Sequence, residues 1–182
     1  MLDPIVADVD GNEEERKGTI SVFNGPAPEV RTFDDTAEES ATVGEWLAKR
    51  VSEGVPPNEM AVFVRSQTEL DRAQEAVKAS GMGYQMLDER MRIEPHKVAI
   101  STMHLAKGLE FRIVAAMACD DEVIPSQTRI DAIADDAELE EVYNTERHLL
   151  YVACTRARDR LWISGVEPTS EFLDDLVARN SA

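Results

Sequence analysis

Two stretches of the chain concentrate side chains able to contact phosphate, sugar or base. The first is Thr102-Met103-His104-Leu105-Ala106-Lys107-Gly108-Leu109-Glu110-Phe111. Thr102 and His104 offer a hydroxyl and an imidazole, Lys107 a positive charge, and Glu110 a carboxylate that can accept from a sugar hydroxyl. Gly108 allows backbone to approach a ligand closely. The second stretch runs from Glu146 to Arg158, and Arg147, Arg156, Arg158 and Arg160 place planar guanidinium forks within a short span. Spacing alone leaves a plainer account open for both. The first could be a polar strand-to-helix connection with Lys107 solvated. The arginines could sit at a solvated helix end and neutralise the acidic loop before it, an account favoured for Arg158 and Arg160.

These cations belong to a strongly acidic chain. Nineteen Lys+Arg against 36 Asp+Glu in 182 residues leave a net charge of −17, a field that repels polyanions at long range. A generic basic coat for nucleic acid is excluded, so any such contact needs a local patch or a more basic partner domain. The length fits one ordinary domain, and 43% hydrophobic residues supply a core. No run approaches the roughly 18 apolar residues that span a bilayer, and the opening MLDPIVADVDGNEEE lacks a basic, apolar leader. A cytoplasmic protein without a membrane partner is expected. Cys119 and Cys154 form no C-x-x-C pair and read as buried small hydrophobes, while His96, His104 and His148 share no zinc spacing, so no metal is expected. The chain contains no Gly-Lys dipeptide, which excludes the phosphate-cradling GxxxxGK[ST] loop.

The elements that must position these residues alternate. Residues 1–18 carry little to bury and read as a tail or cut end. TISVF and EVRTF are strand-like, and Thr36 with Glu39 has capping-box spacing ahead of a helix carrying Val43, Trp46, Leu47 and Val51, which Gly54 and Pro56-Pro57 stop. MAVFVR is apolar on both faces, as in a covered strand, and Ser66 with Glu69 caps a helix ending at Gly81. Further strands are expected at Tyr84–Leu87, Val98–Ser101, RIVAAMAC and RLWIS. An acidic loop covers 120–136, a long helix follows through Leu149, Leu150 and Ala153, and Ser170–Asn180 forms a closing helix. This alternation predicts an α/β fold with a mostly parallel sheet between two helical layers. In such sheets ligands sit beyond the carboxyl ends of strands, the position expected for the whole Thr102–Phe111 group.

TMHLAKGLEFRIV and ERHLLYVACTRARDRLWIS resemble, in order and spacing, motifs V and VI of superfamily 1 helicases of the UvrD/Rep/PcrA type. MAVFVRSQTELDRAQEAVKASGMGYQML is similar to the segment before that family's accessory insertion, and DEVIPS to its acidic, proline-containing turn after motif V. The likeness covers about residues 19–165. It implies a RecA-like domain without its own P-loop, the second of two lobes that close on ATP. By that likeness Arg156 reaches across the cleft to the γ-phosphate, Glu110 holds the ribose, and Lys107 and Gly108 shape the loop coupling nucleotide state to strand grip. Thr102 and His104 match positions that contact single-stranded DNA, with Lys107 beside them. Arg65 and Arg147 are weaker candidates, and Arg65 reads more simply as a strand-end arginine paired with an acid.

The resemblance further implies ATP and Mg²⁺ bound mainly by an N-terminal RecA-like domain that is missing here, with single-stranded DNA and duplex junctions as partners. The chain departs from the family in four respects. Motifs of the first domain and the tyrosine-arginine pair of motif IV are absent, and the opening of motif VI is Thr145-Glu146-Arg147-His148. The accessory insertion shrinks to a connector at 88–97. The expected organisation is therefore a tail at 1–18 and a second RecA-like domain at 19–182, a piece of a longer protein that is inactive alone. A catalytically silent RecA-like module binding a partner through its acidic run is the alternative.

Overall fold

The structure, a computed structural model, describes residues 5–7, 13–15, 25–87, 92–133 and 136–173. Ile5–Ala7 (β1) and Glu13–Glu15 (β2) pair antiparallel, with Ile5 opposite Glu15. The body follows as Glu29–Phe33 (β3), Thr36–Ser52 (α1), Met60–Val64 (β4), Leu70–Ala79 (α2), Gly83–Met86 (β5), Lys97–Thr102 (β6), Phe111–Ala116 (β7), Gln127–Ile130 (α3), Asp136–Cys154 (α4) and Ala157–Val166 (β8). β3 to β8 make one sheet in the order β3-β8-β7-β4-β6-β5, with every neighbour parallel.

Parallel strands need crossovers, and the crossovers cover both faces. β4 shows the consequence: all five of its residues are buried, and they alternate between two cores. Met60, Val62 and Val64 meet Val43 and Leu47 of α1 and Ala73, Ala76 and Val77 of α2. Ala61 and Phe63 meet Phe111, Val114, Leu150 and Ala153 on the α4 side. Gly44 lets α1 and α2 touch, because a Cβ there would lie 2.7 Å from the Ala76 carbonyl oxygen. The expected α/β sheet with helices on both faces is the observed fold.

Several local expectations shift. The cap of α1 is Asp35, whose carboxylate accepts from the Glu38 amide at 2.8 Å. Glu39, expected to close the cap, is fully buried instead. It accepts from Arg72, from the Ser164 hydroxyl at 2.6 Å and from the Ala118 amide at 3.1 Å, while Arg72 also grips Asp120. Three donors for one carboxylate outcompete a solvent-exposed cap. At Ser66 and Glu69 the capping box forms as expected, around a 3₁₀ turn leading into α2. The acidic loop contains α3, a turn too short to show periodicity. Arg158 and Arg160 belong to β8 and not to a helix end, and Arg160 lies 4.0 Å from Glu53.

The connector is pinned where described, since the Gln85 amide donates to the Arg92 carbonyl at 2.7 Å and accepts from the Glu94 amide at 2.6 Å. Residues 88–91, TISVF and the end of the closing helix lie outside the described residues, although 171–173 are helical. Both cysteines are free; Cys119 is buried as expected, whereas Cys154 is only half-buried, and desolvation raises both thiols, Cys154 to about 12.

Candidate functional site

Thr102 ends β6 at the carboxyl edge of the sheet, and Phe111 begins β7 at the amino edge. The eight residues between must run back along the α4 face, a drop of roughly 17 Å for a six-residue strand. Met103, Ala106 and Leu109 pin this loop into the core, while His104, Lys107, Gly108 and Glu110 face solvent. Gly108 has φ +84°, and this left-handed turn is where the loop needs glycine. The candidate residues therefore divide between two rims. That corrects the expectation of one group beyond the carboxyl ends, because Glu110 and Arg156 precede β7 and β8.

At the amino rim, Arg156 follows α4 and precedes β8. Its Nε donates to the Val152 carbonyl at 3.1 Å, NH1 to the Leu109 carbonyl at 3.3 Å, and NH2 to the Thr155 hydroxyl at 3.1 Å. The Phe111 amide closes the junction on the Arg156 carbonyl at 2.9 Å. The guanidinium thus caps α4 and also sits one residue from Glu110, half-exposed, with only neutral oxygens as these partners. Its charge remains available to an anion. β8 then bulges: Phe111 pairs with Ala157 but Ile113 with Arg160, one residue more on β8 than on β7. Such irregularities re-aim neighbouring side chains.

At the carboxyl rim, Arg65 follows β4 and is buried, as is Glu146 on α4. Arg65 donates from Nε and NH2 to the two Glu146 oxygens, each at 2.5 Å, a bidentate fork. Arg129 of α3 adds NH1 to Glu146 Oε1 at 2.8 Å. Burial pushes the Glu146 carboxyl up, but hydrogen bonds from Arg65 and Arg129 and their charges pull it down further, so it lies below the usual carboxylate value. His104 stands next to this cluster. Partial desolvation on the side facing the cluster lowers its imidazole below the ordinary 6.5 even though the residue reaches solvent, the Arg65 and Arg129 charges add to that, and Glu146 opposes it.

A proton titration of His104 by NMR should give a midpoint below 6.5. The neutral ring is favoured in the folded state, so its contribution to stability is full above 6.5 and is lost as pH falls through the lowered value. A midpoint above 6.5 would contradict the described cluster.

Arg147 joins neither rim; its guanidinium lies 4.8 Å over the Phe172 ring. Arg65 has the plainer role, an ion pair with an acid. Arg129 was not singled out by sequence reading. Its signal was its isolation as the only basic residue between Arg112 and Arg147. Among the described residues no cluster of three or more His, Cys, Asp or Glu could hold a metal, and no helix is long and apolar enough to cross a membrane. The chain has no GxxxxGK[ST] loop, so these residues offer individual contacts to an anion and no phosphate cradle.

Residues 85–167 match the family described as UvrD-like helicase C-terminal domain. The chain is 45% identical over 67 residues to the ATP-dependent DNA helicase PcrA of Staphylococcus epidermidis, and 42% identical over 67 residues to the ATP-dependent DNA helicase UvrD1 of Mycobacterium leprae. Each match takes in 37% of the chain but only 8% of the helicase, so the chain spans a small part of the relatives it matches. A solved structure described as the C-terminal domain of a possible DNA helicase from Lactobacillus plantarum WCFS1 superposes with a TM-score of 0.59 at 25% identity, covering 84% of both chains. In sequence over 85–167 and in fold over most of its length, the chain is therefore similar to the UvrD-like helicase C-terminal domain.

Proposed function

We propose that this chain is the C-terminal motor domain of an ATP-dependent DNA helicase, coupling ATP hydrolysis to movement along single-stranded DNA and to duplex separation. The observation that carries this reading is Arg156, a half-exposed guanidinium fixed beside Glu110 at one sheet edge, with Thr102 and His104 at the other. Arg156 supplies charge to a γ-phosphate presented by an N-terminal RecA-like lobe, Glu110 accepts from the ribose, and Gly108 gives the backbone turn between them. Thr102, His104 and Lys107 meet the DNA backbone at duplex junctions and along the single strand. ATP with Mg²⁺ is cradled by that other lobe, and when bound it supplies the phosphoryl group whose developing charge Arg156 stabilises.

Organisation follows the same reading. We assign residues 19–182 to the second RecA-like lobe, 1–18 to a tail or cut end, and 88–97 to a short connector in place of a large insertion. The setting is cytoplasmic.

The isolated chain should hydrolyse no ATP above buffer, whereas the protein in which it joins a triphosphate-binding lobe should show DNA-stimulated hydrolysis. Phosphate release assayed with and without oligonucleotide separates the two. Robust turnover by the chain alone would overturn the divided-site reading.

A further inference from the structure

The carboxyl-rim cluster holds one more cation than anion. Glu146 accepts three N–H groups from two arginines, and the three members differ sharply in exposure. The Arg65 and Glu146 side chains are 7% and 0% exposed, whereas Arg129 is 40% exposed. Arg65 cannot leave without stranding a buried charge. Arg129 can leave, because Glu146 would keep its bidentate fork. Arg129 is carried by a four-residue helix on an acidic loop, and its charge reaches the imidazole of His104, two residues past the strand end at Thr102. An arginine in such an acidic run, aimed at an already paired carboxylate, has little reason to be there for stability alone.

We propose that Arg129 is a contact for nucleic-acid phosphate: a strand lying over Thr102 and His104 draws its guanidinium from Glu146 to a phosphodiester oxygen, and Arg65 keeps the carboxylate occupied. Glu146 then acts as the resting partner of Arg129, which keeps the rim ordered when no strand is bound. The inference rests on the DNA-motor reading and adds to it a residue and an exchange of partners.

The test is binding of a fluorescent oligo-dT to this chain at low salt, read by anisotropy. Arg129→Gln should weaken binding about tenfold and lower the slope of log affinity against log salt by about one, as loss of one phosphate contact requires. Arg129→Lys should recover part of the affinity. Lys78→Gln removes the same charge from an exposed position on α2 and should change binding by no more than about twofold. If Arg129→Gln behaves like Lys78→Gln while His104→Ala weakens binding, this proposal falls and the motor reading stands. If the chain binds no oligo-dT even at low salt, this proposal falls, and the motor reading is decided separately by the DNA-stimulated hydrolysis of the joined protein. Inorganic phosphate at matched phosphate concentration should leave the Arg129 Nε resonance unmoved where oligo-dT shifts it; an equal shift would make the site one for free anions and overturn the strand assignment.

Discussion

Replacing Arg156 with alanine, in the protein where this chain closes on a triphosphate-binding lobe, is expected to lower DNA-stimulated ATP turnover by roughly 10³ to 10⁵-fold, about 4–7 kcal/mol of transition-state stabilisation. ATP binding should change little, because a guanidinium reaching across a cleft acts most strongly on charge that develops as the phosphoryl group departs. Arg156 also caps α4 through the Val152 carbonyl and ties it to the Leu109 carbonyl. Some loss of stability should accompany the substitution, of the order of 1 kcal/mol for neutral hydrogen bonds at a partly exposed site. The two effects separate cleanly, since a drop of that size in folding cannot account for a thousandfold drop in turnover of folded protein. Arg156→Lys keeps a charge but loses the planar fork that spans two oxygens at once, so it should recover only part of the rate. Unchanged turnover in the alanine variant would refute the assignment.

The second large effect is on stability. Glu146→Ala should cost about 3–5 kcal/mol, because it strands the buried Arg65 guanidinium. For a chain of this size that lowers the melting temperature by roughly 6–20 °C. Against a total stability of about 5–15 kcal/mol, the variant comes close to unfolding. Exchanging both partners for apolar residues, Arg65→Met with Glu146→Leu, should restore most of the loss, since the double change removes the desolvation cost along with the attraction. A urea-denaturation cycle over the two singles and the double measures the coupling directly. The pH dependence has a definite sign: the native Glu146 carboxyl lies below its ordinary value, so its stabilisation is complete above 4.5 and disappears as pH falls through the lowered native value. Equal midpoints for wild type and Glu146→Ala would show that the pair is not buried as described.

The fold was legible where local rules and the global pattern agree. Met60–Val64 reads as a strand covered on both faces and is one, and the Ser66–Glu69 box forms because both of its partners lie within three residues. Capping at Thr36 and Glu39 was misread for a nonlocal reason. Glu39 has equal claim to an adjacent amide and to Arg72, 33 residues on, and nothing in its neighbourhood shows that Ser164 and Ala118 will join it. The two motifs were legible as sets of residues but not as a geometry. Because β6 and β7 are parallel, Thr102 and Glu110 cannot share an edge, and that follows only once the strand ends are known. Arg129 was hidden for a similar reason, since its importance depends on a carboxylate 17 residues away that also takes a fork from Arg65.

The run from Thr102 to Phe111 works as a ruler cut to the depth of the sheet. Its two ends are fastened to different strands and its middle is nailed down by Met103, Ala106 and Leu109. The tally of letters between the two contact points is thus dictated by architecture. Adding or deleting one would slide a whole row of side chains out of alignment with the opposite margin, even if every member of the row were kept.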